Sequence, residues 1–484
     1  MLLGIDLGTS SVKAVLLGND GKMIAESSSS YLVQTPKPGW AEINPLDWWA
    51  SVAIAVQSAV QDHRKHVRAI GLSGQMHGVV LTDAKAQPLY PAILWADTRS
   101  SEMLYAYHAI GAGLHSKLAN PITTGMAGTS LLWLRKYERD IYTNARWALQ
   151  PKDWLRFRLT GEVATEPSDA SGTLLYNVVK DRWSSTVIDT LNLRSDWLPK
   201  LIPSSSIAGH LTPEASEHLD LPPGLPVVAG AADTAAALLG SGVVAPGVVQ
   251  LTIGTGAQIV SLRDQPIADP QKHTHLYRSS LPQQWYALAA IQNAGLGLEW
   301  VRDMLGLTWQ QVYTQAFAVP VGCEGLTFLP YLTGERTPHL DPNARGAWVG
   351  LGLHHSRSHL MRSALEGVAF SLKQGLEAMM AIGIPVTALR LAGGGTIDLA
   401  WQQLIADVLQ VPLYCSTMSA ASGRGAAILA GLGTEIYRSL SAVPKLEADH
   451  DRVVNPNSIT PELEAAWHRY RSLYAPLHEW RLDQ

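Results

Sequence analysis

Two aspartates and two small-residue turns carry the chemistry this chain can do. Asp6 interrupts an apolar run between Ile5 and Leu7. A lone carboxylate is costly to bury unless it is paired or faces a cation. Gly8, Thr9 and Ser10 follow directly, and then a second apolar run from Ser11 to Leu16. Apolar run, tight turn and apolar run predict a β-hairpin. Its turn offers successive backbone N–H groups; Gly permits close approach, and Thr or Ser adds hydroxyl donors. Such a turn suits phosphate oxygens. The pattern returns about 245 residues later, from Val249 to Leu262, with Gly254, Thr255 and Gly256 at the turn. Two such hairpins imply two related domains gripping one polyphosphate between them. Just ahead of such a turn, the natural partner of Asp6 is Mg²⁺, mostly through water, since Mg²⁺ keeps part of its hydration shell. The alternative is that Asp6 caps the turn by accepting from the Gly8 and Thr9 N–H groups.

Asp233 stands in Val227-Val-Ala-Gly-Ala-Ala-Asp-Thr-Ala-Ala-Ala237. An acidic residue among such small neighbours predicts a strand end delivering a carboxylate into a cleft, with a helix starting behind it. Aspartate is also a common helix N-cap, and the local pattern admits both readings. Its place just upstream of the second hairpin favours function, because a carboxylate beside the phosphates can accept the proton of an attacking hydroxyl. In Ser73-Gly-Gln-Met-His-Gly78, Gln75 and His77 can hydrogen-bond a hydroxylated ligand while Met76 packs on its carbon face. The same histidine also fits a surface or internally satisfied position. Leu389-Arg-Leu-Ala-Gly-Gly-Gly-Thr-Ile-Asp-Leu399 predicts strand, glycine turn and helix, and a helix N-terminus favours anions. It fails the dinucleotide fingerprint, because Asp398 stands where the third glycine belongs, and no Walker-A pattern occurs. The phosphate grip is therefore assigned to the paired hairpins. The pairs His273/His275 and His354/His355 lack carboxylate or Cys partners at ligand spacing and are expected in solvated loops.

The elements that position these groups can be read along the chain. After the first hairpin, a turn at Gly18-Asn-Asp-Gly21 leads to a strand from Met23 to Tyr31. Asn44-Pro45 ahead of Asp47-Trp-Trp49 predicts a helix start. Val67 to Leu72 predicts a short strand, so the first hundred residues run β-β-β-α-β. The second half repeats the theme: hairpin 248–262, strand 285–291, helices 294–305 and 358–381, strand 388–392, helix 398–409. Residues 100–220 are mixed and rich in Trp, Pro and Ser, and are expected to form an insertion or cap on the first domain. The boundary is expected near Gly240-Ser-Gly-Val-Val-Ala-Pro-Gly247, giving domains 1–243 and 244–484.

Composition bounds the function. A chain of 484 residues supports two or three domains, and 46% hydrophobic with 16% charged residues marks it as folded. A formal net charge of −4 offers no footprint for nucleic acid and no polybasic membrane anchor. Two cysteines, Cys323 and Cys415, argue against a secreted disulfide framework and for a reducing cytoplasm. No signal peptide is expected, because Asp6 breaks the first apolar stretch. Gly224 to Leu262 holds one charged residue, Asp233, but Pro226, Pro246 and many glycines break it into buried strands and turns rather than a membrane span.

With these residues collected, the chain resembles the FGGY carbohydrate kinases of the actin–hexokinase–chaperone superfamily. Asp6-Leu-Gly-Thr-Ser-Ser-Val-Lys13 resembles the superfamily's phosphate hairpin. Gly346-Ala-Trp-Val-Gly-Leu351 followed by His359-Leu-Met-Arg-Ser-Ala-Leu-Glu366 resembles the family's C-terminal signature along its whole length. Gly74-Gln-Met-His-Gly78, Pro151-Lys-Asp-Trp-Leu155 and Tyr331-Leu-Thr-Gly-Glu-Arg-Thr-Pro-His339 are similar to the xylulokinase branch. The resemblance runs from Leu2 to about Gly433. It implies an α/β fold of two RNase H-like domains with an interdomain cleft. It also implies ATP-dependent phosphorylation of D-xylulose at its 5-hydroxyl, and a homodimer. By the same resemblance Asp233 is the catalytic base, and Met76 and His77 bind the sugar together with Asp233 and Thr234. Asp6 lies near Mg²⁺; Gly8, Thr9, Ser10 and Gly254, Thr255, Gly256 hold phosphates; Gly393, Gly394, Gly395 and Asp398 meet the adenosine. Four positions depart from the pattern. Thr234 replaces the usual Asn, Ser130 replaces a Lys before Leu131-Leu-Trp133, Asp398 takes the polar place late in the adenosine loop, and Ala421-Ser-Gly-Arg-Gly-Ala-Ala427 lacks an expected Glu. Kinases of ribulose, gluconate or glycerol, and a sugar-sensing pseudo-kinase, are the alternatives.

Overall fold

The apolar runs Leu2–Leu7 and Ser11–Leu17 pair as an antiparallel hairpin, with Leu7 opposite Val12. Met23–Ser30 extends it, with alternate residues exposed as befits an edge strand. The computed structural model describes residues 1–415, 420–444 and 452–482. Asn44 caps the helix Pro45–Val60 by accepting the Leu46 N–H at 3.1 Å, and Pro45 occupies the first turn. Trp48, Val52, Ala55, Val56 and Ala59 recur at helical spacing and bury that face on the sheet. The chain then enters Ala69–Gly74, which lies parallel to Leu2–Leu7 with Asp6 opposite Ser73. The β-β-β-α-β order expected for the first hundred residues is present, with an added two-residue strand, Glu42–Ile43.

The second half repeats the construction. Val249–Ile253 and Ala257–Arg263 form the hairpin, and Trp285–Ile291 pairs antiparallel beside it. The helix Arg357–Ala381 then carries the chain to Leu389–Ala392, parallel to Val249–Ile253. Each unit is a seven-stranded sheet with helices against it. This is the two-domain α/β fold expected from the sequence.

Two parts of the fold were not foreseen. The strand Ile207–His210 joins the first sheet beside Pro226–Val228, so the expected insertion ends before residue 207. Its short, partly exposed sequence carries no periodicity to announce a strand. The rest of that region holds Leu104–His108, Ala112–Leu118, Ala127–Tyr137 and Arg139–Asn144, with a separate apolar core against Val79, Leu81 and Ile93. His275, expected in a solvated loop, is instead buried on the strand His275–Arg278, where backbone pairing with Trp285–Ile291 draws it into the sheet. The apolar stretch 224–262 resolves into strands and one short helix. Among the described residues, no helix is long and apolar enough to cross a membrane.

Two helices join the halves. Asp233–Gly240 crosses Ala421–Gly433, and the latter also lies on the first sheet, although it comes late in the chain. Glycines allow this approach. A Cβ on Gly240 would stand 1.9 Å from the Ala421 carbonyl oxygen, one on Gly425 1.9 Å from that of Ala236, and one on Gly71 1.8 Å from that of Ala426. Gly425→Ala should therefore force the helices apart and cost about 1–3 kcal/mol, as overpacking does. Gly113, in an exposed helix with nothing within 4 Å of its virtual Cβ, is the control: Gly113→Ala should hold or raise stability. Thermal melts of the two variants check this.

Candidate active site

Asp6 is the last residue but one of the first strand, and Asp233 opens a helix directly behind the strand Ala231–Ala232. Both strands pair with Ala69–Gly74, where Ser73 lies opposite Asp6 on one side and Ala231 on the other. The two carboxylates consequently face one pocket. Burial, and then the charge of Asp6, push the Asp233 carboxyl up to about 7. Burial likewise raises Asp6, against the Ser73 hydroxyl and Lys13, which pull it down. Asp6 Oδ1 is buried and has no hydrogen-bond partner. Two repelling carboxylates and an orphaned oxygen fit a hard divalent cation such as Mg²⁺.

Asp233 sits in the first turn of its helix and Ala232 takes the cap position. Its carboxylate accepts from the Thr234 N–H, and the Thr234 hydroxyl stands 3.2 Å from it. The same hydroxyl lies 3.3 Å from Gln258, two residues beyond the second turn. The base candidate is thus bracketed by the two hairpins, and the fold brings Asp6, Asp233 and Thr234 together.

Both turns have fixed backbones. Gly8 N–H donates to Ser11 O at 3.0 Å, and Gly254 N–H to Gly256 O at 2.8 Å. The Gly8 carbonyl is held by Tyr31 Oη at 2.5 Å and by Gln75 Nε2 at 3.0 Å. Thr9 Oγ1 accepts from Trp95 Nε1 at 2.9 Å. Ser10, Gly254 and Thr255 are exposed at the tips. The loop at Gly393, Gly394 and Gly395 lies against the second hairpin; a Cβ on Gly393, whose φ is +104°, would stand 2.2 Å from the Ile253 carbonyl. Asp398 Oδ1 caps the helix Leu399–Leu409 through Ala400 N–H at 2.9 Å and Trp401 N–H at 3.1 Å.

On the opposite side lie Met76 and His77. His77 has φ +75°, and Gly78 N–H donates to Met76 O across it at 2.9 Å, a tight turn that a non-glycine residue adopts under strain. His77 Nδ1 meets the Gly172 carbonyl at 2.8 Å, so Nδ1 carries the proton and Nε2 is left to accept. Burial holds the ring neutral, with its pKa pushed down to about 4. A Cβ on Gly172 would stand 2.8 Å from His77 Nδ1 and 3.1 Å from Met76 Cε. Met76 is buried, with the Tyr286 hydroxyl 3.5 Å from its sulfur. Gln75, read as a possible ligand contact, has its amide nitrogen engaged by Gly8, while its Oε1 is buried without a partner.

Sequence reasoning missed the support behind Asp233. Lys152 and Asp153, in the helix Pro151–Thr160, are fully buried with Nζ to Oδ1 at 2.7 Å. Lys152 also lies 3.4 Å from Asp169 and 3.7 Å from Glu166. Arg156 Nη1 joins Asp153 Oδ1 and the Ala229 carbonyl, each at 2.8 Å, and Ser168 Oγ accepts the Ala232 N–H at 2.9 Å. The chain on both sides of Gly230 is pinned in this way. Burial pushes the Asp169 carboxyl well up, aided by the charges of Asp153, Glu166 and Asp233 and opposed by Lys152. Lys152, Asp153 and Arg156, charged residues interleaved with Trp154, Leu155 and Phe157, were the available signal.

The His354/His355 reading needs correction on one point. His354 is exposed as expected, but the fold brings Glu324 to 3.7 Å from its Nε2 and 3.3 Å from that of His359. His355 Nδ1 accepts from Gly352 N–H and His359 Nδ1 from Ser356 N–H, but His355 Nε2 is buried without a partner, and Glu324, His354 and His355 offer ligand atoms within 4.8 Å of one another, so the fold supplies the carboxylate partner that the sequence spacing lacks.

With this geometry in view, comparison with known proteins is informative. Residues 1–240 match the FGGY family of carbohydrate kinases, N-terminal domain, and residues 249–434 match its C-terminal domain. The chain belongs to the FGGY family of carbohydrate kinases. It is 33% identical over 98% of its length to the xylulose kinase of Lactococcus lactis, covering 95% of that protein. It is also 30% identical over 91% of its length to the gluconokinase of Bacillus subtilis, covering 89% of that protein. The solved structure of a xyloylose kinase from Brucella ovis superposes with a TM-score of 0.92 at 32% identity, covering 99% of each chain. The protein is therefore a carbohydrate kinase acting on a small-molecule sugar, with ATP as phosphate donor.

The pKa of Asp233 has a consequence for stability. Its folded value, about 7, exceeds the unfolded one of about 4. Between these values the folded state holds the extra proton, so stability falls as pH rises from about 4 to about 7 and stays lowered above. Asp233→Asn removes this loss. The metal-free variant should melt several degrees above the parent at pH 8 and level with it at pH 4. Gly172→Ala should displace His77 and raise KM for the sugar about tenfold or more while KM for ATP holds, as steady-state kinetics would show.

Proposed function

We propose that this kinase phosphorylates D-xylulose at its 5-hydroxyl, giving D-xylulose 5-phosphate, with Asp233 as general base. The observation that carries the reading is a carboxylate raised to about 7 beside Asp6, between the two phosphate-type turns. A base with a pKa near the working pH combines the correct protonation state with adequate driving force. The similarity to xylulose kinases over nearly the whole chain supports the sugar.

In this reading, domain 1–243 carries the sugar site and domain 244–484 the nucleotide. Met76 lies under the sugar's carbon face, and His77 Nε2 accepts from one of its hydroxyls. Asp233 accepts the proton of the attacking hydroxyl, and the Thr234 N–H and hydroxyl fix the carboxylate's orientation. N–H and hydroxyl groups at Gly8, Thr9, Ser10 and at Gly254, Thr255, Gly256 receive phosphate oxygens, and Gly393, Gly394, Gly395 and Asp398 line the adenosine. Asp6 would hold Mg²⁺, which when bound would supply charge neutralisation to the phosphates. Closure of the lobes excludes water, the competing nucleophile. Cys323 and Cys415 stand as thiols rather than as a disulfide, which suits a reducing cytoplasm.

ADP release with a panel of D-xylulose, D-ribulose, D-gluconate and glycerol tests the sugar. The highest kcat/KM should fall on D-xylulose, and a clear preference for another member would overturn that assignment. Asp233→Asn should keep sugar affinity and lower kcat by about 10²- to 10⁴-fold; near-normal turnover would remove Asp233 as base. Asp6→Asn should raise the Mg²⁺ concentration needed for half-maximal rate.

A further inference from the structure

The strand Ala69–Gly74 runs between the two strands that deliver the carboxylates. Ser73 lies opposite Asp6 on one side and Ala231 on the other, and Gly74 lies opposite Leu7 and Ala232. Gln75 comes next along the chain, so the register sets it between Gly8 and Asp233. Its N–H continues the ladder by donating to the Leu7 carbonyl at 2.9 Å. Side chains alternate along a strand. A Cβ on Gly74 would stand 3.1 Å from Lys152 Cβ and 3.4 Å from Leu7 Cβ, so that position faces the helix Pro151–Thr160. Asp6 takes the other face, where a Cβ on Gly423 would stand 3.9 Å from Asp6 Cβ. By alternation Ser73 and Gln75 share that face with Asp6.

Gln75 is only 1% exposed, and its amide has one orientation. Nε2 donates to the Gly8 carbonyl at 3.0 Å; a carbonyl can only accept, so Oε1 is the atom turned elsewhere. Oε1 is buried with no hydrogen-bond partner, and the same holds for Asp6 Oδ1 and Ser73 Oγ. Buried acceptors without donors are costly, and three such oxygens adjacent in register on one face point to a ligand. Asp6 Oδ1 and Gln75 Oε1 can do nothing but accept. Water in the shell of Mg²⁺ turns its lone pair to the metal and both protons outward, so it calls for acceptors alone. A sugar hydroxyl brings lone pairs that call for donors as well, and Nε2 of Gln75 is already engaged. An amide also supplies its acceptor without a third negative charge beside Asp6 and Asp233.

We propose that Gln75 is a positioning residue for the metal: its Oε1 joins Asp6 in accepting protons from the hydration shell of Mg²⁺, while its Nε2 holds the first phosphate turn at Gly8. One planar amide then ties the cation to the turn whose N–H groups receive phosphate oxygens, as outer partners orient the groups around a metal. The inference rests on the assignment of Asp6 to Mg²⁺.

Metal binding without turnover tests this. Mn²⁺, a paramagnetic stand-in for Mg²⁺, is titrated into protein saturated with ADP, and the free ion is read by electron paramagnetic resonance. Gln75→Leu should raise the Mn²⁺ Kd about tenfold or more, the scale of a lost outer partner, while the Kd for ADP in EDTA and KM for D-xylulose stay within about threefold. The turn itself should survive the change, because Tyr31 Oη still holds the Gly8 carbonyl. Gln75→Glu restores acceptor oxygens and should keep the Mn²⁺ Kd at or below that of the parent. An unchanged Mn²⁺ Kd in Gln75→Leu overturns the proposal. So does a rise confined to KM for D-xylulose, which would make Gln75 a sugar contact, and so does an equal loss of ADP in EDTA, the mark of a deformed turn. Should melts show that Gln75→Leu does not fold, Gln75→Glu decides alone, since a raised Mn²⁺ Kd there overturns the proposal too. Asp6→Asn separates this from the reading beneath it. Unchanged Mn²⁺ affinity in that variant removes the cation from Asp6, whereas a loss in Asp6→Asn with none in Gln75→Leu removes Gln75 alone.

Discussion

Two carboxylates stand close together in one largely shielded site, and the site is organised around that conflict. Asp6 and Asp233 come from strands flanking Ala69–Gly74, so the sheet itself fixes their separation. The charge of Asp6 raises the cost of ionising Asp233, and burial raises it for both. Keeping two carboxylates together costs stability, a trade for activity common at catalytic centres.

Holding such a site requires rigidity behind it. Rigidity comes from the ionic cluster of Lys152, Asp153, Arg156, Glu166 and Asp169, which grips the chain at Ala229 and Ala232 just ahead of Asp233. The helices Asp233–Gly240 and Ala421–Gly433 meet backbone to backbone through glycines, and Asp233 stands at the start of the first of them. Ser422 Oγ, at 3.2 Å from the Asp233 carbonyl, adds a direct tie between the two helices.

On the sugar side the charges are arranged by contrast. His77, His275 and Tyr277 are neutral and buried, so they offer hydrogen bonds without net charge.

Much of this was legible in the residues. The two hairpins announced themselves because a β-hairpin is local: apolar run, small turn and apolar run lie within sixteen residues, and both appeared where expected. The helix start at Asn44-Pro45 and the crossover helix Arg357–Ala381 were visible for the same reason, since caps and periodicity are short-range signals. Asp6 and Asp233 stood out as carboxylates in apolar surroundings. Gly172, Tyr31, Gln258 and Arg336 were not singled out, because each matters through a partner far away in sequence. Gly172 is required by the ring of His77, and Arg336 meets Trp95 across the two halves. The burial of His275 and the approach of Glu324 to His354 arose likewise from strand pairing and loop packing. The sequence by itself determined the local hairpins, caps and candidate groups, because short-range sterics and hydrogen bonding dictate them; only the tertiary structure decided which groups share a pocket, since burial and charge proximity are properties of chain segments brought together from afar.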